Sequence, residues 1–356
     1  MRTRVAKVAG PLALAGLIAT GCGGGSGVEG KVENRPAPPA SAFPSAEGKT
    51  LAQILLKEPN SHSTAVLSPS QVAFQTGANR FGFGVFTMSR KAQVADAQVA
   101  LYVAKSPPKG SLPKTKANGA STGNGPLSKV TSSLSNPASG PFPAKVESLE
   151  TAAAFESKST ADDPDAGKVV YVSTVDFPTN GTWVVGALIK DGSKLSAKRL
   201  GTVNVGQFKA IPSVGQRPPA IHTPTLASVG GDLRKLTTRI PPEHMNQVDF
   251  ADALGSKPIV LLFATPVFCQ SRVCGPVTDI AAQVQREYGN KAEFIHMEIY
   301  NDNNPSKGVR PQARAFNLPS EPWLFVIDRN GIIRTRIEGA FNVQELTAAV
   351  KGVTGG

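Results

Sequence analysis

Apolar and polar positions alternate along much of the first two thirds of the chain. Phe81, Phe83 and Val85 alternate with Gly82 and Gly84, and Ala97, Val99, Leu101 and Val103 alternate with Gln98, Ala100 and Tyr102. Val169, Tyr171, Ser173, Val175 and Phe177 form a third such run, and Trp183, Val185, Ala187 and Ile189 a fourth. Residues two apart share one face of a strand, so each run predicts a strand with one buried side. Pro178-Thr179-Asn180-Gly181 separates the last two runs and is a hairpin signal. Several strands divided by turns, with no helical period between them, predict a β-sandwich over residues 66–215. A stretch rich in Pro, Gly, Ser and Lys interrupts it at 105–145 and reads as an exposed, poorly ordered insertion.

The pattern changes class after Gln216-Arg217-Pro218-Pro219, a natural hinge that runs on to Pro224. Val248 to Leu254 reads as a short helix, and the unbroken apolar run Ile259 to Phe263 as a strand buried on both faces. Ile280, Val284 and Tyr288 recur every four residues and predict a helix from Pro276. Phe294 to Ile299 is a further strand and Pro311 to Phe316 a short helix. Trp323 to Asp328 and Ile332 to Ile337 pair across Arg329-Asn330-Gly331, and Val343 to Val350 closes the chain as a helix capped by Asn342. The order is β, α, β, α, β, β, α.

Composition refines this picture at the N-terminus. The 356 residues include 35 Gly and 29 Pro, enough turn-forming residues for two domains and their linkers. Arg2, Arg4 and Lys7 precede an uncharged stretch from Val8 to Thr20, which is too short for a stable membrane span. It ends in Ile18-Ala19-Thr20-Gly21-Cys22. This resembles a bacterial lipoprotein signal, and the resemblance implies that residues 1–21 are removed and Cys22 carries lipid. Residues 22–65, opening on Gly23-Gly24-Gly25-Ser26-Gly27, would then be a flexible tether outside the cytoplasm, where disulfides persist. The formal charge of +12 does not indicate nucleic-acid binding in an exported protein; anionic headgroups or wall polymers are the partners it suits.

Candidate chemistry concentrates in Phe263-Ala264-Thr265-Pro266-Val267-Phe268-Cys269-Gln270-Ser271-Arg272-Val273-Cys274. Cys269 and Cys274 lie five apart between the buried strand and the helix. Residues five apart on one helix are about 7.5 Å apart along its axis and face different ways. A disulfide between them therefore requires a non-helical loop. A thiolate at a helix start is favoured by unpaired N–H groups, and Arg272 is placed to add charge. His62, His222, His244 and His296 are dispersed, so no metal set and no cofactor is indicated.

The element order, the cysteines after the first strand and Glu321-Pro322-Trp323-Leu324-Phe325-Val326-Ile327-Asp328-Arg329-Asn330-Gly331 together resemble the thioredoxin fold over residues 230–356. The resemblance implies a cis-proline at Pro322 facing the cysteines, with the backbone of Glu321 offered to a substrate strand. Two registers stay open. Counted from the strand, Cys269 attacks and Cys274 resolves; counted from the helix, Cys274-Gly275-Pro276-Val277 matches the family motif with its last cysteine replaced. Thr265-Pro266 also resembles the approach to the active cysteine of some peroxiredoxins, but Pro322 stands where their arginine would be. By strand pattern alone, residues 66–215 resemble bacterial Ig-like modules. The reading is a membrane-anchored extracytoplasmic thiol–disulfide oxidoreductase acting on exported proteins. The alternative is a non-enzymatic binding or scaffold lipoprotein whose disulfide is structural.

Overall fold

The computed structural model describes residues 32–57, 65–87, 92–106 and 134–355. The stretch 1–21 read as a signal, Cys22, the first part of the stretch read as a tether, His62 and positions 107–133 of the stretch read as an insertion lie outside the described residues. Among those described, no helix is long and apolar enough to cross a membrane.

Seven strands form one antiparallel sheet: β1 (Ala65–Pro69), β2 (Gly77–Thr87), β3 (Gln98–Lys105), β4 (Ala138–Ser148), β5 (Val169–Phe177), β6 (Gly181–Asp191) and β7 (Lys194–Val205). Their order is β1-β2-β5-β4-β3-β6-β7. The four alternating runs become β2, β3, β5 and β6, and their inward residues, among them Phe81, Leu101, Tyr171 and Trp183, meet in one buried core.

Two separate facing sheets, as expected for an Ig-like sandwich, are not what forms. The first half of β4 pairs with β3, from Ala138 to Pro143, and the second half pairs with β5, from Ala144 to Ser148. One strand thus belongs to both layers and joins them at a corner. Most of β4, from Ala138 to Lys145, falls within the stretch read as disordered insertion; its Pro, Gly and Lys content hid a strand, and Leu134 before it is fully buried.

The stretch read as a tether is also packed over residues 32–57. Arg35 exchanges two backbone hydrogen bonds with Val146, at 2.8 and 2.9 Å. The helix α1 (Leu51–Leu55) starts at a capping box, with the Thr50 side chain on the Gln53 N–H and the Gln53 side chain on the Thr50 N–H. It buries Leu51, Ile54 and Leu55 against the outward face of β3 and β6, alongside Ala100, Tyr102 and Val184. A Cβ at Gly186 would lie 2.5 Å from Leu55 Cδ1, so only glycine admits the helix this closely.

The C-terminal elements are α3 (Phe250–Ala253), β8 (Ile259–Phe263), α4 (Cys274–Tyr288), β9 (Glu293–Met297), α5 (Pro311–Ala315), β10 (Trp323–Ile327), β11 (Ile333–Glu338) and α6 (Val343–Thr354). The sheet runs β11-β10-β8-β9, with β8 and β9 parallel and the other pairs antiparallel. Residues of α4 and α6 cover one face, while Phe250, Ala313 and Phe316 cover the other. Burial on both faces explains the unbroken apolar run of β8. This is a thioredoxin-like fold. The stretch read as a hinge is bound to it: Ile333 N–H donates to the Gln216 carbonyl, and Arg217 Nη2 donates to the Asn330 carbonyl.

Candidate functional site

β8 delivers the chain to Ala264, and a non-helical loop then carries it to α4, whose first residue is Cys274. Arg272 sits at φ 61°, a left-handed conformation that breaks any continuous helix between the cysteines. Cys269 and Cys274 are joined as a disulfide with their Cα atoms 5.8 Å apart. The two sulfurs differ in access: Cys269 is half-buried, and Cys274 is fully buried in the core under α4.

The surroundings of Cys269 Sγ are polar. The backbone N–H of Cys274 points at it over 3.3 Å, and Ser271 Oγ lies at 3.1 Å. That N–H is one of the unpaired donors at the start of α4. After reduction the Cys274 N–H would hold negative charge on Cys269, joined by the Ser271 hydroxyl once it turns from the Glu321 carbonyl. Ser271 Oγ also donates to the Glu321 carbonyl at 3.4 Å, which brings the loop against Glu321 and Pro322. The Glu321–Pro322 bond is cis, Pro322 is buried, and burial pushes the Glu321 carboxyl above its ordinary range. Val267 and Phe268 stand exposed beside Cys269.

Arg272 does not supply charge to the sulfurs as its position in the sequence suggested. Its guanidinium pairs with Asp165 at 2.6 Å, and its carbonyl accepts from Gly167 N–H at 2.8 Å. Both partners come from the segment between α2 (Lys158–Ala161) and β5, so the first unit grips the disulfide loop at its middle. A Cβ at Gly167 would lie 2.9 Å from Val273 Cγ1.

Under the start of the loop is a buried ionic network that no local pattern in the chain marks. His296 Nδ1 lies 2.6 Å from Glu243 Oε1, and its Nε2 lies 3.1 Å from the Ala264 carbonyl. Both ring nitrogens face acceptors, so the ring donates twice and is an imidazolium. Burial alone would lower the pKa of His296, but the Glu243 carboxylate outweighs it and the net direction is up. Burial likewise opposes the charge of Glu243, and His296 reverses that to hold its carboxyl below the usual range. Next to this pair, Thr238 Oγ1 donates to Glu298 Oε1 at 2.7 Å and accepts from Val267 N–H at 3.2 Å. His296 thus ties the loop's first residue, Ala264, to Glu243.

His222, Asp249 and Asp252 place ligand-type atoms within 4.8 Å of one another. His222 is exposed and already bonded to Asp249, which caps α3.

No family model and no curated protein matches the chain. Solved structures do. A putative thiol:disulfide interchange protein DsbE from Chlorobium tepidum is 17% identical over 39% of this chain and 99% of its own, at a TM-score of 0.27. A thioredoxin-family thiol:disulfide interchange protein from Chlorobium tepidum TLS is 18% identical over 40% of this chain and 98% of its own, at 0.29. A protein of the thioredoxin-like superfamily is 17% identical over 31% of this chain and 86% of its own, at 0.25.

Proposed function

We propose that the chain is a lipid-anchored extracytoplasmic thiol–disulfide oxidoreductase that acts on exported proteins through Cys269 and Cys274. The observation that carries this reading is the asymmetry of the pair at the start of α4: one half-buried sulfur with an N–H aimed at it and a hydroxyl beside it, and one buried sulfur behind it. In the dithiol form, the Cys269 thiolate attacks one sulfur of a substrate disulfide and expels the other as a thiolate. The Cys274 thiolate then attacks Cys269 in the mixed disulfide, releasing the second substrate thiolate. The protein ends as the disulfide, and the substrate has gained two electrons and, from solvent, two protons. The reverse sequence oxidises a dithiol. The Glu321 backbone, held against Ser271, fits a role in aligning the substrate segment, and Cys22 fits the role of anchor.

Trapping tests the chemistry. Cys274→Ser should accumulate mixed disulfides with exported proteins, whereas Cys269→Ser should trap none. If neither traps and the native disulfide resists dithiothreitol until the protein unfolds, the pair is a staple and the binding-module reading stands. The anchor has its own test: Cys22→Ser should leave membranes in fractionation, and retention at high salt argues against lipid.

A further inference from the structure

A cavity of about 470 Å³ opens between the seven-stranded sheet and the redox loop, a size within the ~300–1,000 Å³ of ordinary ligand sites. One wall is β1 from Val66 to Pro69, and another carries Arg199 and Leu200 of β7. These are the two edge strands of the sheet, which approach each other without pairing. The third side is Gln270 to Val273, the four residues between the cysteines.

The lining has three ionic side chains, Asp165, Arg199 and Arg272. Asp165 and Arg272 neutralise each other at 2.6 Å. Arg199, on the same lining, forms no ion pair among the described residues, although its Nε itself is closed off from the cavity. A guanidinium without a carboxylate partner at the wall of a cavity is matched by a carboxylate, which its other N–H groups hold by charge-assisted hydrogen bonds. Beside it, β1 stands at the edge of the sheet among the described residues, and its stretch Val66 to Pro69 on the cavity suits an extended backbone. A molecule seated there would touch the segment that closes the disulfide.

We propose that this cavity is a substrate site for an acidic, extended polypeptide segment, which lies along β1 with a carboxylate on Arg199 beside the loop that bears Cys269. That the occupant is a redox substrate rests on the proposed function; that the cavity binds it does not. Binding is therefore measured by calorimetry on the intact oxidised protein with a cysteine-free probe, acetyl-Val-Glu-Val-Glu-Val-amide, and its glutamine counterpart. The glutamate peptide should bind at least tenfold more tightly, and Arg199→Gln should remove that preference. Ser68→Trp, which narrows the cavity mouth and leaves Arg199 in place, should weaken both peptides and guards against a misfolded Arg199 variant, with melting followed for each. Equal affinity for the two peptides, or a preference that survives Arg199→Gln, overturns the proposal. So does succinate binding as tightly as the peptide, which would make the site one for free carboxylates. An inert disulfide would defeat the redox reading without changing any of these outcomes.

Discussion

At the scale of single residues, the chemistry visible in the sequence and the chemistry hidden from it meet at the same loop. Cys269, Cys274 and Pro322 were legible because their types are informative next to a buried strand. Glu243 was not, because it lies 53 positions from His296 and nothing local marks the partnership. The pair has a measurable consequence. His296 has a raised folded pKa, so its contribution is complete below the unfolded histidine value of about 6.5 and is lost as pH rises through the folded value. Glu243 has a lowered one, so its contribution is present above about 4.5 and is lost on acidification. Stability should therefore peak between these limits and decline on the alkaline side. Urea midpoints from pH 5 to 9 should show that decline in the native protein and not in His296→Gln. The substitution should also cost about 3–5 kcal/mol near pH 6, since it leaves a buried carboxylate unpaired. A parallel decline in both proteins would assign the slope to other groups.

At the scale of elements, regular strands and helices were legible where one face is buried and the other is wet. They were not where a second layer covers the far face. β3 reads Val-Ala-Leu-Tyr-Val-Ala because α1 covers its outer side, and β4 was hidden by prolines that suit its corner. The loop 269–274 is held the same way, by a distant element, through Asp165 and Gly167. These contacts exist with the disulfide formed. Asp165→Asn should therefore destabilise the oxidised form and make the disulfide easier to reduce. Arg272 and Asp165 have side chains 48% and 36% exposed, so the pair is worth about 0.2–1 kcal/mol, or about 5–20 mV in a two-electron couple. Equilibration with a reference dithiol measures this. An unchanged or lower potential would mean that the grip on Arg272 is indifferent to the redox state.

At the scale of the whole molecule, the sequence reads as two domains across a proline hinge, and the packing joins them. Val170 and Val172 of β5 face away from the sheet's own core and enter the core under α4 and α6, together with Leu149. Only the alternate residues of β5 were needed to recognise the strand, so its second apolar face passed unread. Polar contacts follow the same seam. Arg80 binds Glu345 at 2.7 Å and the Ala340 carbonyl at 2.7 Å, and Glu338 accepts the N–H groups of Val72 and Ala73, each at 2.8 Å. Arg239 and Asp279, a buried pair at 2.7 Å, reach Phe155 and Ser157 across it. Domains joined by a thin polar interface move and melt separately, whereas a shared apolar core couples them. The two tryptophans test which holds, because Trp183 lies in β6 and Trp323 in β10. In Trp323→Phe the remaining fluorescence reports the first unit, and in Trp183→Phe it reports the second. Within each variant, the urea midpoint by fluorescence should match that by far-UV circular dichroism, which sees both units. Val172→Asp, which places a charge in the shared core, should lower both readings together. Midpoints that separate within one variant would show that the units unfold independently and that the seam is an ordinary interdomain contact.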